Sequence, residues 1–410
     1  MLIEFSVGNY RSFKEPVTLG MVAAKLRAKN KELDDNNLFP MTSSISLLKS
    51  AAIYGANASG KSNLIQAIRL MRGFVLASSK DTQTAEPIGV ESFKLSTDTE
   101  NEPSYFEVIF YLEERRYRYG FEADTQKVHS EWLYHVPNKR ETRLFLREGN
   151  DFSLSSVFKE GRGLTDKTRD NALFLSVVAQ FNGPIARNIL VWFRNLGLIS
   201  GLSDEKHRRF TIKNIQDETL KDKIISFVKQ MDVGISDIGV GQEEIGSIYT
   251  APIVTTLHKN YDGDGAFISE TSFDMDNNES EGTKKLFYLS GPLLDILQFG
   301  SVLIIDELDA RFHPLITSTI IGLFNSKSTN PNNAQLIFAT HDTNLLSNKL
   351  FRRDQIWFTE KDKYGATDLY SLAEIKVRND ASFEKDYIAG KYGAIPFIGG
   401  LHHLVGDADA

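Results

Sequence analysis

The rhythm of apolar and polar positions changes several times along the chain. Leu2 to Val7 ("LIEFSV") and Val17 to Ala24 ("VTLGMVAA") alternate with a period of two, which predicts strands. The polar stretch "KLRAKNKELDDNN" reads as a loop, because turn-forming and charged residues cluster there. "SLLKSAAIYG" is an apolar run that stops at a glycine. After Gly60, the residues Leu64, Ile65, Ile68 and Met71 fall three and four apart, which predicts an amphipathic helix. From about residue 89 to 147 the chain becomes aromatic and β-branched. "YFEVIFYLEERRYRYGFEAD" reads as a hairpin closed at "EER", with "SEWLYHV" and "TRLFLRE" as further strands. Residues 184 to 231 read as helical, and "PIVTTLHKN" and "AFISETSFDM" flank a glycine-rich hairpin turn. Helix and strand patterns then alternate: "TKKLFYLSGPLLDIL", "SVLIIDE", "PLITSTIIGLFN" and "AQLIFATHD".

This order predicts an α/β protein, with α/β segments at both ends of a middle built from strands and then helices. Three stretches are expected: 1–150, 151–275 and 276–410. There is no internal repeat and no low-complexity tract.

The break between the apolar run and the first long helix carries chemistry. "GANASGKS", Gly55 to Ser62, fits G-x-x-x-x-G-K-[S/T] between a strand and a helix. Gly55 and Gly60 let the backbone curl so that amide hydrogens, including those of Asn57 and Ser59, face a phosphate. The following helix offers its positive end, with Asn63 in its first turn. Lys61 would reach the β- and γ-phosphates, and Ser62 would hold Mg2+, which prefers hard oxygen donors.

A second apolar run, Val302 to Ile305, ends in Asp306 and Glu307. Such a run suits a strand buried on both faces of a parallel sheet, and carboxylates at its C-terminal end would reach the ligand crevice. Asp306 would hold the Mg2+ ion. Glu307 would orient and polarise an attacking water. His341, at the end of "AQLIFATHD", reads either as a structural histidine or as a sensor of the γ-phosphate. No N-K-x-D element is present to read guanine, so ATP is the expected nucleotide.

Composition narrows the class without changing this picture. The 410 residues carry 41% hydrophobic and 25% charged side chains, ordinary for a globular protein, and a net charge of −7. Nucleic acid would need a local patch: Arg115, Arg116 and Arg118, or Lys206, His207, Arg208 and Arg209. Either group also reads as a solvated face. With no cysteine, disulfides and thiolate chemistry are excluded, which agrees with a cytoplasmic location. The start "MLIEFSVGNY" lacks a signal layout, and no apolar run reaches the ~20 residues of a membrane helix. "YDGDG" lacks the later glutamate of a calcium loop. The terminal "HHLVGDADA" (His402, His403, Asp407, Asp409) reads as a frayed end rather than a metal site.

"ESEGTKKL", residues 279 to 286, precedes a helix and then the acidic strand. On its own it is a helix cap. In this order it resembles the ABC ATPase superfamily, whose Ser-x-Gly signature loop precedes such a helix. With "NYRSF", "GANASGKSN", "IIDELDARFHP" and "ATHDTNLL", the chain resembles the AAA15-type ATPases, relatives of the RecF and SMC heads that lack the long coiled coil. The resemblance implies an ABC-type P-loop head, with an antiparallel β subdomain and a helical lobe inserted between phosphate loop and signature. It implies a head-to-tail homodimer in which Ser280 and Gly282 close on the partner's ATP, and Asp309 of "LDA" lies at the seam. Arg11 in "NYRSF" is a candidate for the nucleotide or for a structural role. Gln180 is a candidate for the glutamine that links the metal to the helical lobe, or is a surface residue. The signature departs from the transporter form: Glu281 stands where a glycine is usual, and so is expected to point away from phosphate. The family is associated with anti-phage defence, including abortive-infection and RloA-like ATPases that work with a companion effector. A RecF-like DNA clamp is the alternative.

Overall fold

The protein is described by a computed structural model that covers residues 1–396 apart from 29, 81–85, 138–139, 204, 217, 232–233, 246–248 and 379–380. The terminal residues His402, His403, Asp407 and Asp409 lie outside the described residues, as does the side chain of Lys206. The chain opens with β1 (Leu2–Gly8), β2 (Val17–Gly20), a short helix α1 (Lys31–Asn36), β3 (Leu38–Pro40), β4 (Ser46–Leu48), β5 (Ser50–Tyr54) and the long helix α2 (Lys61–Ala77). Five strands follow: β6 (Ser104–Leu112), β7 (Arg115–Ala123), β8 (Val128–Val136), β9 (Thr142–Glu148) and β10 (Asp151–Leu154). Next come α3 (Phe174–Gln180), α4 (Pro184–Arg194), β11 (Gly197–Ser200), α5 (Glu205–Ile215), α6 (Glu218–Met231), β12 (Ile235–Ile245), β13 (Tyr249–Tyr261) and β14 (Phe267–Asp274). The last part holds α7 (Glu281–Phe299), β15 (Val302–Asp306), α8 (Pro314–Phe324), β16 (Gln335–Ala339), β17 (Ile356–Lys361), β18 (Thr367–Ser371) and α9 (Phe383–Ile388).

Two large sheets organise these elements. One has the order β11-β15-β16-β5-β17-β18, parallel except for β18. Its central strands β5 and β16 are buried at every position, as continuous apolar runs require when both faces are covered. Along β15, Val302 and Ile304 join one hydrophobic core and Leu303 and Ile305 the other. Helix α2 packs in the first core, and α5, α6, α7 and α8 pack in the second. The other sheet is antiparallel, in the order β10-β9-β8-β7-β6-β1-β2.

Helix α2 belongs to the same core as both sheets: Leu64, Ile65, Ile68 and Met71 share a cluster with Phe106 and Phe121 of the antiparallel sheet and Ile304 of the parallel one. Burying each of these side chains is worth roughly 1.5–3 kcal/mol, so the phosphate-loop helix is firmly seated. The hairpin at "EER" closes with Glu113 and Glu114 at φ 48° and 60°.

Two segments differ from the sequence reading. Part of the "KLRAKNKELDDNN" loop is helix α1, which has one buried residue, Leu33, and therefore no apolar periodicity to announce it. The Asn30 side chain caps it at Glu32 N, and Asp34 pairs with the buried Arg352 from far along the chain. Within the 184–231 helical stretch, Gly197–Ser200 is a strand that pairs in parallel with Leu303–Asp306. Four residues are too few to display a period of two, and the partner lies about a hundred residues away.

Candidate functional site

The parallel sheet brings three chain segments to one edge. Strands β5, β15 and β16 run the same way, so their C-terminal ends deliver Gly55, Asp306 and Thr340–His341 to a common crevice. Between β5 and α2 the loop turns through Gly55 at φ 153°, Ala58 at 61° and Gly60 at 119°. A Cβ on Gly55 would meet Ser59 Oγ and Thr359 O, both at 2.5 Å, so the loop has no room for a side chain there. No side chain caps α2, which leaves its first amide hydrogens for an anion. Asn57 is exposed at the loop tip, and Ser59 is buried beneath it.

Hydrogen bonds lock this loop from behind. Ser59 Oγ lies 2.6 Å from Thr359 Oγ1, and Thr367 Oγ1 donates to Ser59 O at 2.8 Å. Asn63 Nδ2 donates to Ser12 Oγ at 2.8 Å, which ties the helix to the "NYRSF" segment. The adjacent Arg11 pairs with Glu91 at 2.9 Å and borders a cleft of about 480 Å³ together with Ser12, Asn63 and Lys361. The structure thus brings Arg11 to the flank of the phosphate loop.

Lys61 is buried, and its Nζ donates to Gly55 O at 2.8 Å and Ala56 O at 3.0 Å. Burial lowers its pKa to about 8, against the pull of Asp306, Glu307 and Asp309. Ser62 Oγ donates to Asp306 Oδ1 at 3.2 Å. Glu307 adopts φ 56°, a left-handed conformation that costs a non-glycine residue on the order of 1–3 kcal/mol. His341 N donates to Asp309 Oδ2 at 3.3 Å, while Asp309 Oδ1 is buried with no hydrogen-bond partner. Burial and the Lys61 charge hold the His341 imidazole below its ordinary pKa, outweighing the three acids. Beneath them the buried Tyr54 hydroxyl also has no partner, and burial pushes its pKa up.

Ser62 and Asp306 are hard oxygen donors in contact, the donor chemistry that suits Mg2+ beside a phosphate. Among the described residues no cluster of three or more His, Cys, Asp or Glu could hold a metal by itself. A phosphate-loop ion needs no such cage, because substrate phosphates and water fill its remaining positions.

Ser280 and Gly282 stand at the start of α7. Ser280 is the N-cap of α7, and its Oγ accepts from Thr283 N at 3.1 Å. A Cβ on Gly282 would come 3.1 Å from Arg311 O, so the helix start lies against residues 308–312. Lys285 fastens that contact: its buried ammonium donates to Leu308 O at 3.1 Å and to Ala310 O, and lies 4.4 Å from the Phe312 ring centroid. Glu281 turns to Lys284 at 3.0 Å and Arg311 at 3.3 Å.

Gln180 does not join the site. It is exposed at the end of α3, whose Ser176 bonds Val75 O near the far end of α2. Val75 lies 14 positions after Lys61 in the same helix, about 20 Å at 1.5 Å per residue. The strand end beside Asp306 belongs instead to β11, where Ser200 stands opposite Asp306. Gly201 N donates to Asp306 O at 2.6 Å, and a Cβ on Gly201 would fall 1.9 Å from Glu307 O. Sequence reading missed Gly201, Thr359, Thr367 and Lys285. Ser12 alone had a signal, its place beside Arg11.

Residues 50–347 match the family described as "AAA domain, putative AbiEii toxin, Type IV TA system". The chain belongs to this AAA domain family. That match spans the phosphate loop, the signature stretch, the acidic strand and His341. The AAA domain is also similar to the SMC head domain from Thermotoga maritima, at 14% identity and a TM-score of 0.41, over 92% of this chain and 99% of that one. No curated protein matches it. No described helix is long and apolar enough to cross a membrane.

Proposed function

We propose that this AAA domain hydrolyses ATP as a nucleotide-driven switch. The observation that carries the reading is the crevice itself: Lys61, Ser62, Asp306, Glu307, Asp309 and His341 converge at one edge of a parallel sheet, below an uncapped helix start. Lys61 would release Gly55 O and Ala56 O to take the β- and γ-phosphates. Ser62 and Asp306 would hold Mg2+, which when bound neutralises charge on the triphosphate. Glu307 would accept a proton from the attacking water, held in place by its strained backbone and by Gly201. His341, kept neutral by burial and Lys61, would donate to the γ-phosphate.

Two copies would pair head to tail, with Ser280 and Gly282 completing the neighbour's pocket. The packing of α7 on residues 308–312 supports this, since it joins the signature start to the segment after Glu307. We place this AAA domain in a toxin-type system with a companion effector, in keeping with the family description "putative AbiEii toxin, Type IV TA system", and in anti-phage defence, as the resemblance implies. The DNA-clamp reading has less support. Arg118 is neutralised by Glu107 and Glu141, Arg208 by Asp276 and Arg209 by Glu205.

The test has two arms. Glu307→Gln should bind ATP and accumulate as a dimer in gel filtration. Mixing Ser280→Arg with Lys61→Ala should restore turnover in heterodimers, each inactive alone. Normal hydrolysis by Glu307→Gln would remove Glu307 from its role, and inert heterodimers with confirmed pairing would remove the shared pocket.

A further inference from the structure

A second cleft lies away from the nucleotide crevice. It has a volume of about 860 Å³ and opens along β11, the edge strand of the parallel sheet. Consecutive residues Asn195 to Ser200 line its floor. Among the described residues β11 pairs with β15 alone, and on its other edge Ser200 O accepts from Ser203 N at 3.3 Å, which leaves the backbone groups before it on that edge open to the cleft. The two walls come from opposite faces of the sheet. Arg69 and Arg72 of α2 and Arg194 at the end of α4 stand on one side; Phe210 of α5 and Asp295 and Phe299 of α7 stand on the other.

The walls differ in chemistry. Arg72 is engaged, donating to Phe193 O at 2.9 Å and Arg194 O at 3.1 Å. Arg69 is not: its Nε is buried without a hydrogen-bond partner, and no ion pair reaches it among the described residues. Of the two acids that line the cleft, Glu205 is taken by Arg209 at 2.7 Å. Opposite, Phe299 is 68% exposed and Phe210 37% exposed, so both offer apolar surface to the cleft.

We propose that this cleft receives an extended segment of a partner protein, which adds to β11 as a further strand with alternating acidic and apolar side chains. Successive residues of a strand point to opposite faces. One set would therefore meet Arg69 and Arg194, and the other Phe210 and Phe299. Main-chain bonds to an open edge give affinity, and the alternate pockets give selectivity. The acid on the apolar wall, Asp295, lies where it can accept from a lysine or backbone N–H of the segment. A nucleic acid fits less well, because it offers no ladder to the sheet edge and would bring phosphates past Asp295 and Glu205.

The position also connects the cleft to the reaction proposed above. Gly201, the residue after β11, touches the Asp306–Glu307 turn through its N–H and its bare Cα. A strand clamped along β11 would fix that contact and with it the conformation of Glu307. This regulatory consequence rests on the ATPase reading; the binding itself does not.

The experiment is a selection of random ten-residue displayed peptides on the full-length wild-type chain. Recovered sequences should alternate acidic and apolar residues. Their affinity should fall at least tenfold on Arg69→Glu and again on Phe299→Asp, while both variants keep the wild-type melting temperature and ATP affinity. Peptides without that alternation, or bound equally by folded Arg69→Glu, overturn the proposal. So does a 20-nucleotide single strand whose Arg69-dependent binding is tighter than any peptide's. A turnover assay with the selected peptide reads the second step: the rate should change in wild type and not in Arg69→Glu. A chain that binds the peptide yet hydrolyses nothing counts against the ATPase reading alone.

Discussion

The parallel and antiparallel sheets bury charged groups for opposite ends. In the antiparallel sheet, Glu131 is fully buried and answered on all sides. Tyr119 OH donates to it at 2.9 Å, and Phe174 N and Leu175 N at 2.6 and 2.9 Å, so one carboxylate also caps the start of α3. Arg147, 3.8 Å away and equally buried, donates to Gly149 O and Ala172 O. At the C-terminal edge of the parallel sheet the groups are left wanting: Asp309 Oδ1 and Tyr54 OH have no partner, Lys61 holds only loop carbonyls, and Glu307 is strained. Buried polar groups normally find partners, so several unsatisfied or strained ones gathered at one edge, beside the phosphate loop, point to a place where something else is to bind.

That contrast can be broken by exchanging outcomes between the regions. The largest effect is expected from Glu307→Gln: turnover should fall by ~10²–10⁴-fold with the urea midpoint almost unchanged. Glu131→Ala should do the reverse, costing about 3–5 kcal/mol in urea unfolding because Arg147 keeps a buried, uncompensated charge. The folded fraction should then turn over ATP at the wild-type rate. Gly201→Ala should lower turnover by about 10²-fold, since its Cβ must push Glu307 aside, with ATP affinity within about twofold. A loss of ATP affinity as great as that of turnover would mean that Gly201 supports the loop and not Glu307.

A pH series sharpens the comparison. A lysine lowered to about 8 in the free protein loses its charge above that pH, and phosphate binds the charged form. ATP affinity should therefore fall as pH rises from 8 toward 10, by up to about tenfold per unit. Lys61→Arg, whose charge persists, should show no such slope in filter binding. The smallest effect is reserved for the rim of the antiparallel sheet. Glu141→Ala removes a partly exposed pair with Arg118 and should cost under about 1 kcal/mol.

The sequence exposed most of what depends on local pattern. The α2 face, the β6–β7 hairpin and the runs that became β5, β15 and β16 were legible because burial stamps a period or a continuous apolar stretch on them. The phosphate loop and the acidic strand end were legible because phosphate chemistry constrains residue type at fixed spacing. What stayed hidden was decided by distant pairing. β11 exists because Leu303–Asp306 needs a neighbour, and α1 is held by Asp34 on Arg352. Nothing in the local pattern around Gln180 tells whether that residue reaches the site. The fold instead sends β11, with Ser200 and Gly201, to the edge beside Asp306. Thr359 and Thr367 look like any strand threonine until the β17–β18 hairpin folds onto Ser59.

Strand β5, which leads into the phosphate loop, lies between β16 and β17, and its first residue meets Gln355 across 305 positions. Thr367 reaches Ser59 across 308. A ribosome making this protein therefore releases the loop early and its supports very late. Nascent chains arrested before residue 335 would carry the full G-x-x-x-x-G-K-S motif with neither flanking strand to shape it. Such contacts also slow folding, because a long loop must close before they form. Competence to hold nucleotide thus arrives near the end of synthesis, and a prematurely terminated product would be a poor competitor for its intact sisters.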